Sequence, residues 1–311
     1  MPSDPKPSLT ILVLGFNQER FVKKAVQSAF DQTFTPLEII LSDDASSDGT
    51  FRIMQQMAAA YRGPHEVQCR CNPTNLGTNA HLNTLNDIAK SDRVMCIAGD
   101  DIALPERAGR VVAAFDERDA WLIHSDADAI NSSGQIVESR EFDAATLRHP
   151  YRLEEVALSQ GLYLGATVAF HRDLFRKYGP LPETPAYEDL VLGFRAALED
   201  RIVYLDEVLI QYRVDTGVSV KVESLTDVAV WRKFRQRVLD REVAVYQQRL
   251  EDADRFGLER SHRVYKSILS RLCQTIARKD FHAFGFMQGP QAFGTKFTAA
   301  VSEVIRRVKR R

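Results

Sequence analysis

The chain has 311 residues, 44% hydrophobic and 27% charged, a balance that supports a full core and excludes disordered, collagenous and disulfide-scaffold proteins. Its net charge of −1 conceals a division: Lys and Arg number 21 against 32 Asp and Glu in residues 1–220, and 20 against 10 in residues 221–311, giving −11 and +10. No run reaches the roughly 18 apolar residues of a membrane span, and Met1-Pro2-Ser3-Asp4-Pro5 lacks the basic and apolar pattern of a secretory leader, so the expected compartment is the cytoplasm.

In chain order, Leu9 to Phe16, Leu37 to Leu41, Glu66 to Cys71, Val94 to Ala98 and Trp121 to His124 read as short strands. Between the first two, Phe21, Val22, Ala25, Val26, Ala29 and Phe30 recur at three-to-four spacing and mark one buried helix face within Glu19 to Gln32. Gly49 to Tyr61, Thr78 to Ala89 and Pro105 to Phe115 behave similarly, with Pro105 at a favoured first-turn position. None of the four cysteines forms a C-x-x-C pair, which argues against structural zinc or a redox dithiol; Cys69 and Cys71 share a strand face and read as small core residues. Repeated β-α-β units predict a mostly parallel sheet flanked by helices, with ligands at the carboxyl ends of its strands.

Further along, Asn131-Ser132-Ser133-Gly134 is a turn signal after which Gln135 to Glu138 returns as a hairpin strand. Gly165-Ala166-Thr167 is small enough for a ligand to approach the backbone, and Glu188 to Leu198 reads as a helix with both acids in its first turn. From about Ser224 the pattern is helical, with Val228, Trp231, Phe234, Val238 and Val245 in one stripe among Arg232, Lys233, Arg235, Arg237 and Arg241. The expected organisation is an α/β domain over 1–220 followed by a basic helical region over 221–311.

The expected strand ends carry acids. Strand two runs into Ser42-Asp43-Asp44, strand four into Gly99-Asp100-Asp101, and strand five into Ser125-Asp126-Ala127-Asp128. Asp43 and Asp44 suit either an Asx turn that starts the next helix or acceptors for a pyrimidine N–H or ribose hydroxyl. Asp100 and Asp101 suit either a loop before the Pro105 helix or a divalent cation shared with substrate phosphates.

With ILVLGFN at 11–17, EIILSDDASSDGT at 38–50, Asn75-Leu76-Gly77 with Asn83, AGDDIALPE at 98–106, Gly161 to Asp173, Tyr187-Glu188-Asp189-Leu190 and Tyr212-Arg213-Val214, the sequence resembles the family 2 glycosyltransferases of the GT-A fold over about residues 8 to 220. The resemblance implies a single sugar transferred with inversion from a nucleotide-diphosphate sugar to a hydroxyl of a saccharide or lipid-linked saccharide, in cell-surface polysaccharide or O-antigen synthesis. It also implies site residues. Asp44 would hold the base above a floor of Phe16 and Asn17, with Asp43, Asn75 and Gly77 alongside. Asp101 would ligate Mg2+ or Mn2+ on the diphosphate, Asp100 would face the donor ribose or sugar, and Asp189 would be the general base with Glu188 its neighbour. Two positions depart from many relatives: Leu82 stands where they have Arg, preceded by His81, and Asp215 stands near a position where they have His. The Gln-x-x-Arg-Trp motif of processive synthases is absent.

The segment Lys296 to Arg311 spaces Val301, Val304, Ile305 and Val308 among Arg306, Arg307, Lys309, Arg310 and Arg311. It reads either as a solvated final helix or as a basic amphipathic helix on an anionic membrane surface. Nucleic acid is not an expected partner, because no aromatic-interleaved basic module is present. Two other readings compete with transfer: a non-catalytic nucleotide-sugar-binding scaffold, and a nucleotidyltransferase. The latter needs a Gly-rich basic loop that Gly15-Phe16-Asn17-Gln18-Glu19 does not supply.

Overall fold

The computed structural model describes residues 7–139, 151–214 and 228–284. Among the described residues nine strands form one sheet: β1 (Thr10–Gly15), β2 (Glu38–Asp43), β3 (Glu66–Cys71), β4 (Arg93–Ala98), β5 (Ile102–Ala103), β6 (Leu122–Ile130), β7 (Ile136–Glu138), β8 (Ala169–His171) and β9 (Ile202–Arg213). The order is β3-β2-β1-β4-β8-β6-β9-β5, with β7 paired to β6. Strands β1 to β4 pair in parallel, as the β-α-β pattern predicts, while β8 runs antiparallel to both β4 and β6.

Period-two alternation divides the core into two layers. Ile11, Val13, Ile39, Leu41, Met95 and Ile97 face α1 (Val22–Phe30), α2 (Thr50–Ala60) and α4 (Arg107–Arg118). Leu12, Ile40, Val94, Leu122 and Phe170 face α3 (Thr78–Ile88), α5 (Leu153–Leu158), α6 (Asp173–Tyr178) and α7 (Glu188–Leu198). Each fully buried side chain of this kind contributes about 1.5–3 kcal/mol. The described part of the basic region is two helices, α8 (Val228–Phe256) and α9 (Arg263–Phe284), and their Val245, Tyr246, Ala253, Val264 and Ile268 join the second layer. Inside that contact Arg195 of α7 and Asp252 of α8 pair at 3.0 Å, both fully buried.

Register positions the rim. Gly15 lies opposite Asp43, and Leu14 opposite Ala98, so β1, β2 and β4 end level with one another. Because β8 runs the other way, the one-turn helix Gly165–Thr167 before it lies at this same rim, where Cys96 N–H donates to Val168 O. The segment after β4 is fastened from α1 and the turn that follows it: Ala103 N–H donates to Ser28 Oγ at 3.1 Å, Ala108 N–H to Gln32 Oε1 at 2.8 Å, and Gln32 Nε2–H to Leu104 O at 2.9 Å.

Several local expectations need correction. Ser125 to Asp128 lie within β6 and not past its end, because the strand bulges and continues in parallel with β9 to Ile130. Asp126 Oδ1 accepts from Tyr204 Oη at 2.8 Å and Asp128 Oδ1 from Ser139 Oγ at 2.7 Å, so sheet partners hold these acids. Helix α4 starts at Arg107, after a turn in which Arg107 N–H donates to Leu104 O, and Pro105 stands in that turn. Cys71 is exposed and Cys69 half-buried, because β3 is an edge strand. Asp215 and the tail 296–311 lie outside the described residues.

Candidate active site

At the end of β2 the two aspartates divide their work. Asp43 accepts from Ser46 N–H at 2.8 Å and from Ser46 Oγ–H at 2.5 Å, which is the Asx turn. Asp44, nearly fully buried, accepts from Asn72 Nδ2–H at 2.7 Å, Leu76 N–H at 2.9 Å and Gly77 N–H at 2.9 Å. It therefore clamps the 72–77 loop that carries exposed Asn75. Of the roughly four lone-pair positions on a carboxylate, one remains for a ligand donor. Gly77 adopts φ +77°, a left-handed conformation that a side chain strains. Asn17, itself at φ +52°, receives Ser47 N–H on Oδ1 at 2.9 Å and gives its own N–H to Ser46 Oγ at 2.8 Å, so the loops after β1 and β2 are locked together. Beside them the ring of Phe16 is 46% exposed, an aromatic surface suited to a planar base.

Beneath this rim Arg70 Nη1–H donates to Ser42 Oγ at 2.8 Å, and Ser42 Oγ lies 2.6 Å from His81 Nε2. Ser42 Oγ accepts from Arg70 and shares a second hydrogen bond with His81, whose direction follows the imidazole tautomer. Burial lowers the His81 pKa. Leu82, at the position where many relatives have Arg, packs in the core.

After β4, Asp101 is 1% exposed; its Oδ1 accepts Arg213 N–H at 2.9 Å, and Arg213 Nε–H donates to Asp100 O at 2.9 Å. Its buried Oδ2 has no hydrogen-bond partner among the described residues. Burial, and then the charge of Asp100, holds the Asp101 carboxyl well above the ordinary range. An acid so placed must be protonated or share its oxygen with a cation. The residues fit a divalent cation held on one side only: no group of three or more His, Cys, Asp or Glu side chains converges among the described residues, so phosphate and water oxygens would complete the shell.

The third part is the start of α7. Asp189 Oδ1 accepts the N–H of Leu190 at 2.7 Å, and its carbonyl accepts from Tyr163 Oη at 2.7 Å. Burial, with the charge of Glu188 next, pushes the Asp189 pKa up to about 7; burial also raises Glu188. A helix N-terminus favours an anion by only about 0.3–1 kcal/mol, so desolvation wins here. Gly165 lies against the pair: a Cβ on it would stand 3.5 Å from Glu188 Oε1 and 3.7 Å from the Asp189 Cβ.

One residue absent from the sequence reading joins these parts. Arg107 is fully buried and donates from Nη1 to Cys96 O at 3.1 Å and from Nη2 to Ala166 O at 3.1 Å. Burial lowers its pKa to about 10, against the opposing pull of Cys96 and Asp101. It thus ties the Gly165 turn to β4 while placing a positive charge near Asp101. Its sequence signal was a cation at a core-facing helix position.

A mostly parallel sheet whose carboxyl rim gathers two acid pairs, with a third at the start of a facing helix, is an α/β arrangement of the GT-A kind. The model of the family described as Glycosyl transferase family 2 matches residues 10–179, over half of the chain, and the chain belongs to that family. The putative glycosyltransferase EpsE of Bacillus subtilis is 35% identical over 111 residues, 36% of this chain and 39% of that protein. An uncharacterized protein of Mycobacterium bovis, Mb1547, is 25% identical over 208 residues, 66% of this chain and 58% of the relative. The chain thus spans between 39% and 58% of the length of these curated relatives. In fold it is similar to S. aureus TarS 1-349 in complex with UDP-GlcNAc, with TM-score 0.59 at 17% identity, covering 96% of this chain and 91% of that one. It is likewise similar to the mannosyltransferase PcManGT from Pyrobaculum calidifontis in complex with GDP-Man and Mn2+, with TM-score 0.57 at 16% identity, covering 97% and 76%. No described helix is long and apolar enough to cross a membrane.

Proposed function

We propose that this chain transfers a single sugar, with inversion, from a nucleotide-diphosphate sugar to a hydroxyl of a saccharide or lipid-linked saccharide in cell-surface glycan synthesis, using Mg2+ or Mn2+. The observation that carries the reading is the open, buried Oδ2 of Asp101 at the sheet rim that also holds the turn packed against Glu188 and Asp189. The base would rest on Phe16 with Asp44 taking its N–H; Asp43, Asn17, Asn75 and Gly77 shape that pocket. Asp100 would face the donor ribose or sugar. A divalent cation held by Asp101 would offset the charge on the departing diphosphate. Asp189 would take the proton of the acceptor hydroxyl as that oxygen attacks the anomeric carbon from the face opposite the leaving group. One displacement of this kind inverts the anomeric configuration, by the geometry that governs inverting hydrolases. The solved neighbours in complex with UDP-GlcNAc and GDP-Man support this donor class, and the one with Mn2+ supports the cation. The basic run at 296–311 would bring the chain to an anionic leaflet on the cytoplasmic side.

The test is a panel of UDP-, dTDP- and GDP-sugars with saccharide acceptors, reading nucleotide release and the anomeric proton coupling of the product. Metal-dependent release with an inverted product, lost in Asp189→Asn, is expected. A retained anomeric configuration, or wild-type turnover by Asp189→Asn, overturns the mechanism.

A further inference from the structure

The far end of β9 comes to rest against the loop that carries the proposed cation ligand. Ile102 and Ala103 of β5 pair antiparallel with Gln211 and Ile210, so the last residue of β9, Arg213, arrives at Asp100 and Asp101. Arg213 is 2% exposed. Its guanidinium lies over the ring of Phe21, 4.4 Å from the centroid, just ahead of α1, and its Nη1–H donates to Asn131 O in the turn between β6 and β7.

The peptide that joins Asp100 to Asp101 is held on both edges. Asp101 N–H donates to Ala98 O at 3.1 Å, which ties it back to β4, and Arg213 Nε–H donates to Asp100 O at 2.9 Å. The carboxylate that follows is held by one oxygen, because the main-chain N–H of Arg213 takes Asp101 Oδ1 at 2.9 Å. With its peptide and one oxygen fixed, the carboxylate keeps a single orientation, and the oxygen left over is the buried Oδ2 that has no hydrogen-bond partner among the described residues. One planar guanidinium grips carbonyls from two different loops, at Asp100 and Asn131, a fixed fork that the single ammonium of a lysine does not reproduce.

We propose that Arg213 is a positioning residue for the cation site: its side chain sets the Asp100–Asp101 peptide, its main-chain N–H takes Oδ1, and Asp101 Oδ2 is thereby aimed at the divalent cation on the donor diphosphate. The inference rests on the reading of Asp101 as the cation ligand. It makes the end of β9, which follows the segment matched by the family model, part of the donor site.

The test is calorimetric binding of UDP, dTDP and GDP to the full chain, each with and without Mn2+, and it needs neither acceptor nor turnover. Arg213→Met removes the fork and keeps much of the volume. For the diphosphate that the wild type binds, its affinity with Mn2+ should fall by roughly 10–100-fold, the usual cost of losing an outer partner of a metal ligand, while the affinity without metal stays at the wild-type value. Arg213→Lys keeps the charge without the fork and should fall between the two. Should Arg213→Met fail to fold, Phe21→Leu removes only the ring beneath the guanidinium, and its loss should be smaller and equally metal-dependent. A residue that merely braces the sheet would lower the melting temperature and leave the Mn2+-dependent affinity of the folded variants unchanged, and that result overturns the proposal. The parent reading fails separately. If Asp101→Asn keeps the wild-type Mn2+-dependent affinity, or the wild type has none, the ligand assignment falls and the proposal with it; a loss in Asp101→Asn beside an unchanged Arg213→Met removes the proposal alone.

Discussion

Asp189→Asn tests the site through the stability of the fold. The asparagine Oδ1 can keep the bond from Leu190 N–H, so the change removes chiefly a charge. Burial lifts the wild-type pKa from 3.8 to about 7, so in that window the unfolded chain releases a proton that the folded chain retains. Stability contributed by this group is therefore lost as pH rises from about 4 to about 7, and the deficit stays constant above that. A one-unit lift is about 1.4 kcal/mol. Since Glu188 and Asp189 share their proton cost and the site is partly open, about 2 kcal/mol is the expected release, or about 4 °C in melting temperature. Thermal melts of wild type and variant at pH 4, 6 and 8 read it directly. The melting temperature of Asp189→Asn relative to wild type should climb from pH 4 to pH 8 even as transfer is abolished. A difference independent of pH would refute the buried, proton-binding carboxylate.

Other expectations follow from the same geometry. Activity should fall on the acid side of about pH 7, and Glu188→Gln, by removing a neighbouring negative charge, should move that limb to lower pH in a kcat/KM profile. Asp101→Asn should abolish Mn2+-dependent UDP or GDP binding in calorimetry; unchanged Mn2+-dependent affinity would remove Asp101 from the site. Asp252→Ala strands the buried Arg195 and should cost about 3–5 kcal/mol in denaturant unfolding, far more than any exposed pair. Deleting the chain after Gly294 should reduce flotation with anionic liposomes, and equal flotation would remove the tail from membrane attachment.

Much of this architecture was legible in the sequence because it is local. Glu66–Cys71 and Glu188–Leu198 form the strand and helix that period-two and helical patterns predict, and both acid pairs at β2 and β4 lie at the rim. What escaped depends on partners distant in sequence. Ser125 to Asp128 look like a loop until β9 supplies Tyr204 to Asp126. Ala169–His171 is a three-residue antiparallel strand whose only rationale is its place between β4 and β6. Arg107 falls in the same helix stripe as Val111 and Phe115, a cation at a core-facing position, whereas Arg249 sits in a helix rich in arginines on its solvated face and only the packed fold reveals its burial. Asp44 carried a second role that sequence concealed, because its three donors come from a loop about thirty residues away.

The most direct measurement is a thermal-shift comparison of UDP, dTDP, GDP and CMP, each with and without Mn2+, on wild type and Asp101→Asn. A diphosphate at 100 times its dissociation constant stabilises a fold by about 2.7 kcal/mol. The account predicts that one nucleoside diphosphate raises the wild-type melting temperature only when Mn2+ is present, and that the rise vanishes in Asp101→Asn. A rise that is the same with and without metal, or no rise with any of the four, would contradict a metal-assisted nucleotide-sugar site at this rim.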